Sequence, residues 1–575
     1  MPITVFPLTG AKRPLWGIRC KPYSPKVVQL CHEMPGMAFD YESDAWVGYP
    51  DAVEAQVAMF ARHGIICDDR QLRAYVAAPS REHVYVSASR GAHGEIVRDY
   101  QRDGIDFILS TAPHGGAILA DTMGLGKSLQ ATLSARAYRG RTLVCCPSSA
   151  RSVWADPARG ELVKWWPAAA GHIFQPSGTK KLSTGFRYPS DKTPAIPPGT
   201  MVVVIHYDIV YAWIDVLLRW GPVFVVFDEI HLIQSSKSRR AKSLKEVSRG
   251  PATESRLGLS GTPVTNYLQD LWNIVDLISP GPYIKDRDGH MRRAPRMGRT
   301  FWRYGVRYCA GHEVEISRDI GTRMNWDGTS NEEELAKRLR HFVLRRTKED
   351  VKLQLPPKTR QVIRVEVPMK FRQAAVAKID ARIIQTLLSK AVDMKIERGE
   401  MFELVDEHLK AGNSVVVFTF RQTVAERFVD EMSARGYTSR FIHGGVPQAK
   451  RDAILDDLRA RASAGPVMLA ATIDTTNVAI DLTFAQVGLV AELVFEPHKL
   501  IQLEDRLHRY PQPQPVLIQY IIGIGTIEEF VCEVVIDRLG TAKKLNMEAG
   551  QLEAALALEE VDIMKELGDK LLAME

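Results

Sequence analysis

The sequence predicts an α/β protein: two parallel-sheet blocks with helical insertions, preceded by a small α+β module. Three observations predict this. From residue 115 onward, short apolar runs alternate with amphipathic helical patterns, as strands joined by crossover helices do. The alternation comes in two series, separated by a stretch of different texture. A chain of 575 residues also has room for several domains.

Residues 1–92 stand apart. Pro25 to Pro50 reads as a helix, a Pro-Gly turn and a hairpin carrying Phe39 and Trp46 on one face. The first block spans 93–345, with strands expected at Ala117–Ala120, Thr142–Cys146, Met201–Ile205, Val223–Phe227 and Arg256–Leu259. Within it, residues 265–340 read as a helical insertion with a basic, glycine-containing segment. There Arg292 and Arg293 lie near Trp302, Tyr304 and Tyr308. Residues 346–412 read as a linker and a helical protrusion, with Val376, Ile379, Ile383 and Leu387 at helical spacing. The second block spans 413–540, with strands expected at Ser414–Phe418, Ser439–Ile442, Val467–Ala470, Leu493–Phe495 and Val516–Ile522. Residues 541–575 read as an acidic helical tail.

Composition narrows the function classes. A hydrophobic share of 45% and a charged share of 25% suit a soluble globular protein. A net charge of +7 permits a nucleic-acid partner without requiring one. The 7 cysteines form no C-x-x-C pair, which argues for a reducing compartment and against structural zinc. The N-terminal stretch MPITVFPLTGAKRPLWG has no secretory apolar core. The most apolar region, Met201 to Asp228, is broken by His206, Asp208, Asp215 and Arg219, so no membrane span is expected.

Four motifs carry chemistry. ILADTMGLGKS, residues 118–128, ends as a phosphate loop does, although Asp121 stands where the general pattern G-x-x-x-x-G-K-[ST] has glycine. Gly124 and Gly126 let the backbone curl so that N–H groups, including that of Leu125, point at phosphate oxygens. Lys127 suits the β- and γ-phosphates, and the Ser128 hydroxyl suits Mg²⁺. Val223 to His231 reads as a buried strand ending in two carboxylates. Asp228 is placed to hold Mg²⁺ through water, and Glu229 to orient and deprotonate an attacking water. Ser260-Gly261-Thr262-Pro263 follows another apolar run. Its hydroxyls, Ser260 and Thr262, are candidates for coupling the phosphate site to a second ligand. In QLEDRLHR, Arg506 and Arg509 are three apart and would share a helix face, which suits phosphoryl charge.

These residues resemble the Swi2/Snf2 family of superfamily 2 DNA translocases, closest to the subgroup of annealing helicases with HARP domains. DTMGLGKS is similar to that family's DEMGLGKT, DEIH to its DEAH box, and QLEDRLHRYPQ to QAEDRAHRIGQ. LRRTK at 344–348 followed by LPPK at 355–358 resembles a family signature between the lobes, and AELVFEP at 491–497 resembles the subgroup's AELFWNP. The resemblance implies two RecA-like lobes with Snf2-type insertions and binding of ATP and Mg²⁺. It implies an adenine-reading segment with Arg98 and Gln101. It also implies DNA contacts at Ser148, Ser149, Tyr207, Arg421, His443 and Gly444, and it makes residues 1–92 a HARP-like module with Trp46 toward branched DNA. Arg292 and Arg293 are added as DNA contacts from their charge and aromatic neighbours.

The expected function is an ATP-dependent translocase on double-stranded DNA that remodels or reanneals branched DNA, acting as a monomer. Two alternatives stay open: a fork-binding clamp without hydrolysis, and an RNA-directed DEAH-type helicase. The clamp is raised by residues 475–483, where TTNVAIDLT replaces the family's glycine-rich G-x-G-L-N-L-T. The compact chain resembles bacterial or phage members, implying a cytoplasmic, nucleoid-associated protein, or a nuclear one if eukaryotic.

Overall fold

The computed structural model describes residues 3–532, apart from 9–14, 21–23, 78–90, 92–95, 112–114, 178, 182–184, 188–194, 234–237, 262–267, 282, 299, 318–320, 327, 349, 352–354, 368–380, 477–479, 495–496, 527 and 530–531. The tail expected at 541–575 lies outside the described residues. The chain divides into two compact units, 1–351 and 352–575.

The first unit opens with the small module. Its strands are β1 (Ile3–Leu8), β2 (Leu15–Cys20), β3 (Ala38–Asp40), β4 (Ala45–Gly48) and β5 (Cys67–Asp68), in the order β3-β4-β2-β1-β5. Helices Pro25–Glu33 and Pro50–Arg62 pack on this mixed sheet, and Phe39 sits opposite Trp46 in the β3–β4 hairpin.

The larger sheet of this unit contains β6 (Ala117–Leu119), β7 (Thr142–Cys146), β8 (Ile173–Phe174), β9 (Val202–His206), β10 (Phe224–Asp228), β11 (Ser255–Leu259) and β12 (Val343–Leu344). Their order is β12-β6-β11-β10-β7-β9-β8, and every pairing is parallel. Both faces are covered, so the strands read as near-continuous apolar runs. Alternate residues enter opposite cores: Leu143, Cys145, Val225 and Phe227 on one face, and Val144, Cys146, Phe224 and Val226 on the other.

The second unit repeats the plan. Its strands are β13 (Lys358–Glu366), β14 (Val415–Thr419), β15 (Thr438–Ile442), β16 (Val467–Thr472), β17 (Val487–Val490) and β18 (Val516–Ile524). The order is β13-β18-β17-β14-β16-β15, all parallel.

Four elements differ from the sequence reading. The insertion holds two hairpins, Tyr283–Lys285 with Met291–Arg293 and His312–Ser317 with Gly321–Asn325, beside its helices. The stretch read as a linker contains β13, a nine-residue edge strand. The helices Ala381–Arg398 and Glu400–Lys410 bury Val392, Ile396, Val405 and Leu409 in a core with β14 and β16, so they cover this sheet rather than protrude. The fourth strand is Val487–Val490, not Leu493–Phe495. The apolar run is longer than the ladder, and Glu492 ends it by accepting the amides of Phe420 (2.7 Å) and Arg421 (2.8 Å).

The module is fastened to the insertion by a buried ion triad. The Asp51 carboxylate is fully buried and accepts Arg296 Nε at 2.9 Å and Arg338 Nε at 3.1 Å. Burial alone raises a carboxyl pKa, but the Arg296 and Arg338 guanidiniums outweigh it and hold Asp51 below its ordinary value. Gly36, at φ +93°, leaves room for the Arg296 carbonyl, which a Cβ there would strike. At the rim, Tyr41 N donates to Lys285 O (3.2 Å) and Lys285 N to Asp40 Oδ1 (3.0 Å), joining β3 to the basic hairpin.

In the second unit the corresponding anchor is Glu504, fully buried on the helix Pro497–Leu507. It accepts Lys358 Nζ (2.7 Å), Arg360 Nε (2.6 Å) and Tyr520 Oη (2.6 Å). Burial would raise its pKa, yet Lys358 and Arg360 win and lower it to about 2.

Two outcomes follow from these anchors. Asp51→Ala leaves two buried guanidiniums unpaired and should cost about 3–5 kcal/mol in urea unfolding. Removing the exposed Asp68–Arg70 pair, which solvent screens, should leave the unfolding midpoint almost unchanged. Because the folded pKa of Glu504 lies below its unfolded value, its contribution is complete above the usual carboxylate pKa and fades as pH falls through about 2. Glu504→Gln should therefore lower stability at pH 7 by up to about 3 kcal/mol, and the gap to wild type should close on acidification. A gap unchanged with pH would show that no ionised Glu504 supports the fold.

Candidate nucleotide site

Strands β6, β11 and β10 are neighbours, and the loops leaving their carboxyl ends carry the predicted motifs. In an open parallel sheet this edge is where ligands bind. The loop after β6 curls through Gly124 (φ +88°) and Gly126 (φ +79°) into the helix Lys127–Tyr138. Leu125 is buried beneath it, while Ser128 is partly exposed in the first helical turn. Lys127 Nζ donates to the carbonyl of Asp121 at 2.6 Å.

The Asp that displaces the usual glycine has a structural role. Its carboxylate is buried and grips Arg346 at two points, Nε to Oδ1 at 3.0 Å and Nη2 to Oδ2 at 2.6 Å. Gln130 Nε2 donates to Asp121 Oδ2 (3.2 Å), and its Oε1 accepts Arg346 Nη2 (2.9 Å). Arg346 also donates to the carbonyl of Tyr100. Gln101 closes the other side. Its Nε2 donates to Leu125 O (3.2 Å) and its Oε1 accepts the amide of Arg98 (3.0 Å). A side chain at Gly126 would strike Gln101 Nε2.

Asp228 ends β10. Its carboxylate accepts Trp154 Nε1 at 2.8 Å, and burial, reinforced by the neighbouring Glu229, pushes its pKa up to about 6. A buried carboxylate poor in donors and beside a second carboxylate is disfavoured as an anion until a cation is near. Asp228 with the Ser128 hydroxyl thus fits a hard divalent ion with oxygen ligands. Glu229 has φ +51°, a backbone state that non-glycine residues rarely adopt. His231 Nδ1 lies 3.3 Å from Glu229 Oε2 and 3.1 Å from Ser260 Oγ. Burial lowers the His231 pKa to about 4, so a neutral imidazole links the carboxylate pair to the β11 loop. Thr262 lies outside the described residues.

Among the residues expected to meet DNA, Ser148 is exposed and Ser149 half-buried in a turn after β7. Tyr207 is 3% exposed and donates to the Asp228 carbonyl, and Trp46 is 7% exposed beside His32 and Phe39. Neither buried ring offers a face to nucleic acid. Tyr41, against Phe39, and Tyr283, on the basic hairpin, are exposed. Arg292 pairs with Asp286, and Arg293 donates to Tyr283 Oη (3.0 Å), both on the hairpin joined to β3.

In the second unit, Arg421 is held by Glu492 (2.8 Å) and Asp393 (2.8 Å), which leaves its guanidinium engaged within the unit. His443 stacks on Phe441, and its Nδ1 accepts the amide of Gly445, with Gly444 exposed beside it. Arg506 is buried in the helix Pro497–Leu507. The helix stops at Leu507, so Arg509 lies in the following turn and the two arginines do not share a helical face. Pro511 cannot continue a helix, and His508 Nε2 is 2.7 Å from the Pro356 carbonyl.

Sequence reasoning named Arg346 only as part of a signature and missed Gln130, Trp154 and the anchoring role of Glu504. Gln130 had one available signal, since it falls one turn after Lys127 on the same helix. Trp154 had none.

The SNF2-related domain matches residues 100–414, and the helicase conserved C-terminal domain matches residues 400–511. A SWI/SNF-related matrix-associated actin-dependent regulator of chromatin subfamily A-like protein 1 homolog of Caenorhabditis elegans is 27% identical over 79% of this chain and 63% of its own length. The Xenopus tropicalis subfamily A-like protein 1 is 25% identical over 80% of this chain and 46% of its own. The chain thus spans less than two thirds of the length of these relatives. They are animal proteins and lend no support to a bacterial or phage source. The Sulfolobus solfataricus SWI2/SNF2 ATPase core in complex with dsDNA aligns with 80% of this chain and 97% of its own, at 20% identity and a TM-score of 0.36. With the SNF2-related domain covering more than half of its 575 residues, this chain belongs to the SNF2-related family, the ATP-dependent enzymes of helicase superfamily 2.

Proposed function

We propose that the protein hydrolyses ATP to translocate on double-stranded DNA and that it acts at branched DNA, remodelling or reannealing forks. The observation that carries the ATPase reading is the meeting of the phosphate loop, the Asp228-Glu229 pair and Ser260 at the carboxyl ends of three adjacent strands. Lys127 would exchange the Asp121 carbonyl for phosphate oxygens. Ser128 and Asp228 would hold Mg²⁺, which when bound neutralises phosphate charge. Glu229 would orient and deprotonate the attacking water, with neutral His231 carrying its position to Ser260. Arg98 and Gln101 are assigned to the adenine side, and Arg506 and Arg509 to phosphoryl charge during turnover.

The DNA reading is supported by arginines and exposed tyrosines on two joined elements, where Arg292 is paired with Asp286. The β3–β4 turn with Tyr41 adjoins the hairpin bearing Arg292 and Arg293 through one main-chain bond, Tyr41 N to Lys285 O, and the Lys285 amide donating to the Asp40 carboxylate. Ser148, Ser149, His443 and Gly444 remain assigned to backbone contacts. These are sequence-independent and salt-sensitive.

ATP turnover with single-stranded, duplex and forked DNA tests both parts. Lys127→Ala and Glu229→Gln should each lower DNA-stimulated kcat by at least about 100-fold with the fold intact. Turnover by Glu229→Gln at the wild-type rate would remove Glu229 from the mechanism. Arg292→Glu with Arg293→Glu should weaken fork and duplex binding and flatten the log–log salt slope by about 1 per lost phosphate contact. The KM for ATP should stay unchanged. Stimulation by RNA above duplex DNA would overturn the DNA assignment.

A further inference from the structure

The chain that leaves the first unit is built onto the phosphate loop. Three amides of the β6 segment donate in succession to the outgoing chain: Ile118 N to Phe342 O (2.8 Å), Ala120 N to Leu344 O (2.7 Å) and Thr122 N to Arg346 O (3.0 Å). The ladder therefore runs past the end of β6 and into the loop. Beyond it, Thr347 and Asp350 close a reciprocal turn, with Thr347 N donating to Asp350 Oδ2 (2.8 Å) and Asp350 N to Thr347 Oγ1 (3.1 Å). The unit ends at Val351.

Asp121 has two loads. Its carbonyl takes the Lys127 ammonium, while its carboxylate takes the Arg346 guanidinium. The arginine has no slack. Four acceptors from three segments surround it: both Asp121 oxygens, Gln130 Oε1 and the Tyr100 carbonyl. It also lies over the Tyr100 ring at 5.5 Å. Gly104 faces this cluster, and a Cβ there would strike Gln130 Oε1 and crowd Arg346.

We propose that Arg346 is a positioning residue that transmits the state of the phosphate loop to the exit segment 347–351. An anion that draws Lys127 off the Asp121 carbonyl changes the backbone of a residue whose side chain fixes Arg346. A clamp of charge-assisted bonds in a buried setting moves as a unit rather than stretching. Arg346 touches no reacting atom and acts through Asp121. The inference rests on the nucleotide-site reading above.

Amide hydrogen exchange on the full chain, with and without Mg²⁺ and the non-hydrolysable analogue AMP-PNP, tests it. In wild type the analogue should slow exchange in 117–130 and shift exchange in 347–351 by at least about 5-fold. Arg346→Lys supplies a point charge that cannot hold four acceptors at once. It should keep AMP-PNP affinity within about 3-fold and keep the change in 117–130, while the response of 347–351 falls below about 2-fold. DNA-stimulated kcat should drop by about 10-fold at unchanged KM for ATP. Arg346→Gln, which removes the charge from the same position, should act alike and serves if Arg346→Lys melts early. A purely structural clamp would instead lower the melting temperature and leave the 347–351 response intact, which overturns the proposal. No response of 347–351 in wild type also overturns it. If AMP-PNP neither binds nor protects 117–130, the nucleotide-site reading itself fails and the inference falls with it.

Discussion

The bidentate bond between Asp121 and Arg346 is the constraint on which the first unit depends. It joins the start of the phosphate loop to the chain leaving the unit, and through Tyr100 and Gln130 it reaches the helices Asp99–Thr111 and Lys127–Tyr138. A glycine at 121 would give a freer loop. An aspartate gives a loop whose conformation is set by a distant arginine.

The same device recurs wherever remote segments must be held. Asp51 fastens the N-terminal module to the insertion through Arg296 and Arg338, and Glu504 fastens the arginine-bearing helix to edge strand β13 through Lys358 and Arg360. Glu492 pins Arg421 and the end of β14. Each carboxylate is nearly inaccessible, so removing one partner strands a buried charge, and such joints are intolerant of substitution. Fastening the module to the insertion makes it part of the first compact unit rather than a tethered accessory.

At the candidate nucleotide site the electrostatics run the other way. Asp228 lacks an arginine partner in the described structure and sits with its pKa raised beside Glu229, while His231 is kept neutral by burial. Structural carboxylates here are saturated with cations; the candidate metal-binding one is left short of them. That contrast separates a site from a scaffold where both use the same residue types.

Much of this was legible from the residues alone. Apolar runs such as VFVVFD and SVVVF become strands because a sheet buried on both faces admits little else, and Gly124-Leu125-Gly126-Lys127-Ser128 curls because only that backbone permits it. These are local determinants, fixed within one turn or one strand. What the sequence could not settle was partner choice between distant segments. Asp121 read as a departure from a pattern until Arg346 was found on it, and Trp46 and Tyr207 read as contacts until their rings proved to be enclosed. Arg509 read as a helical neighbour of Arg506 until the helix ended at Leu507. Charge pairing and burial depend on which surfaces the fold brings together, and only the tertiary structure decides that.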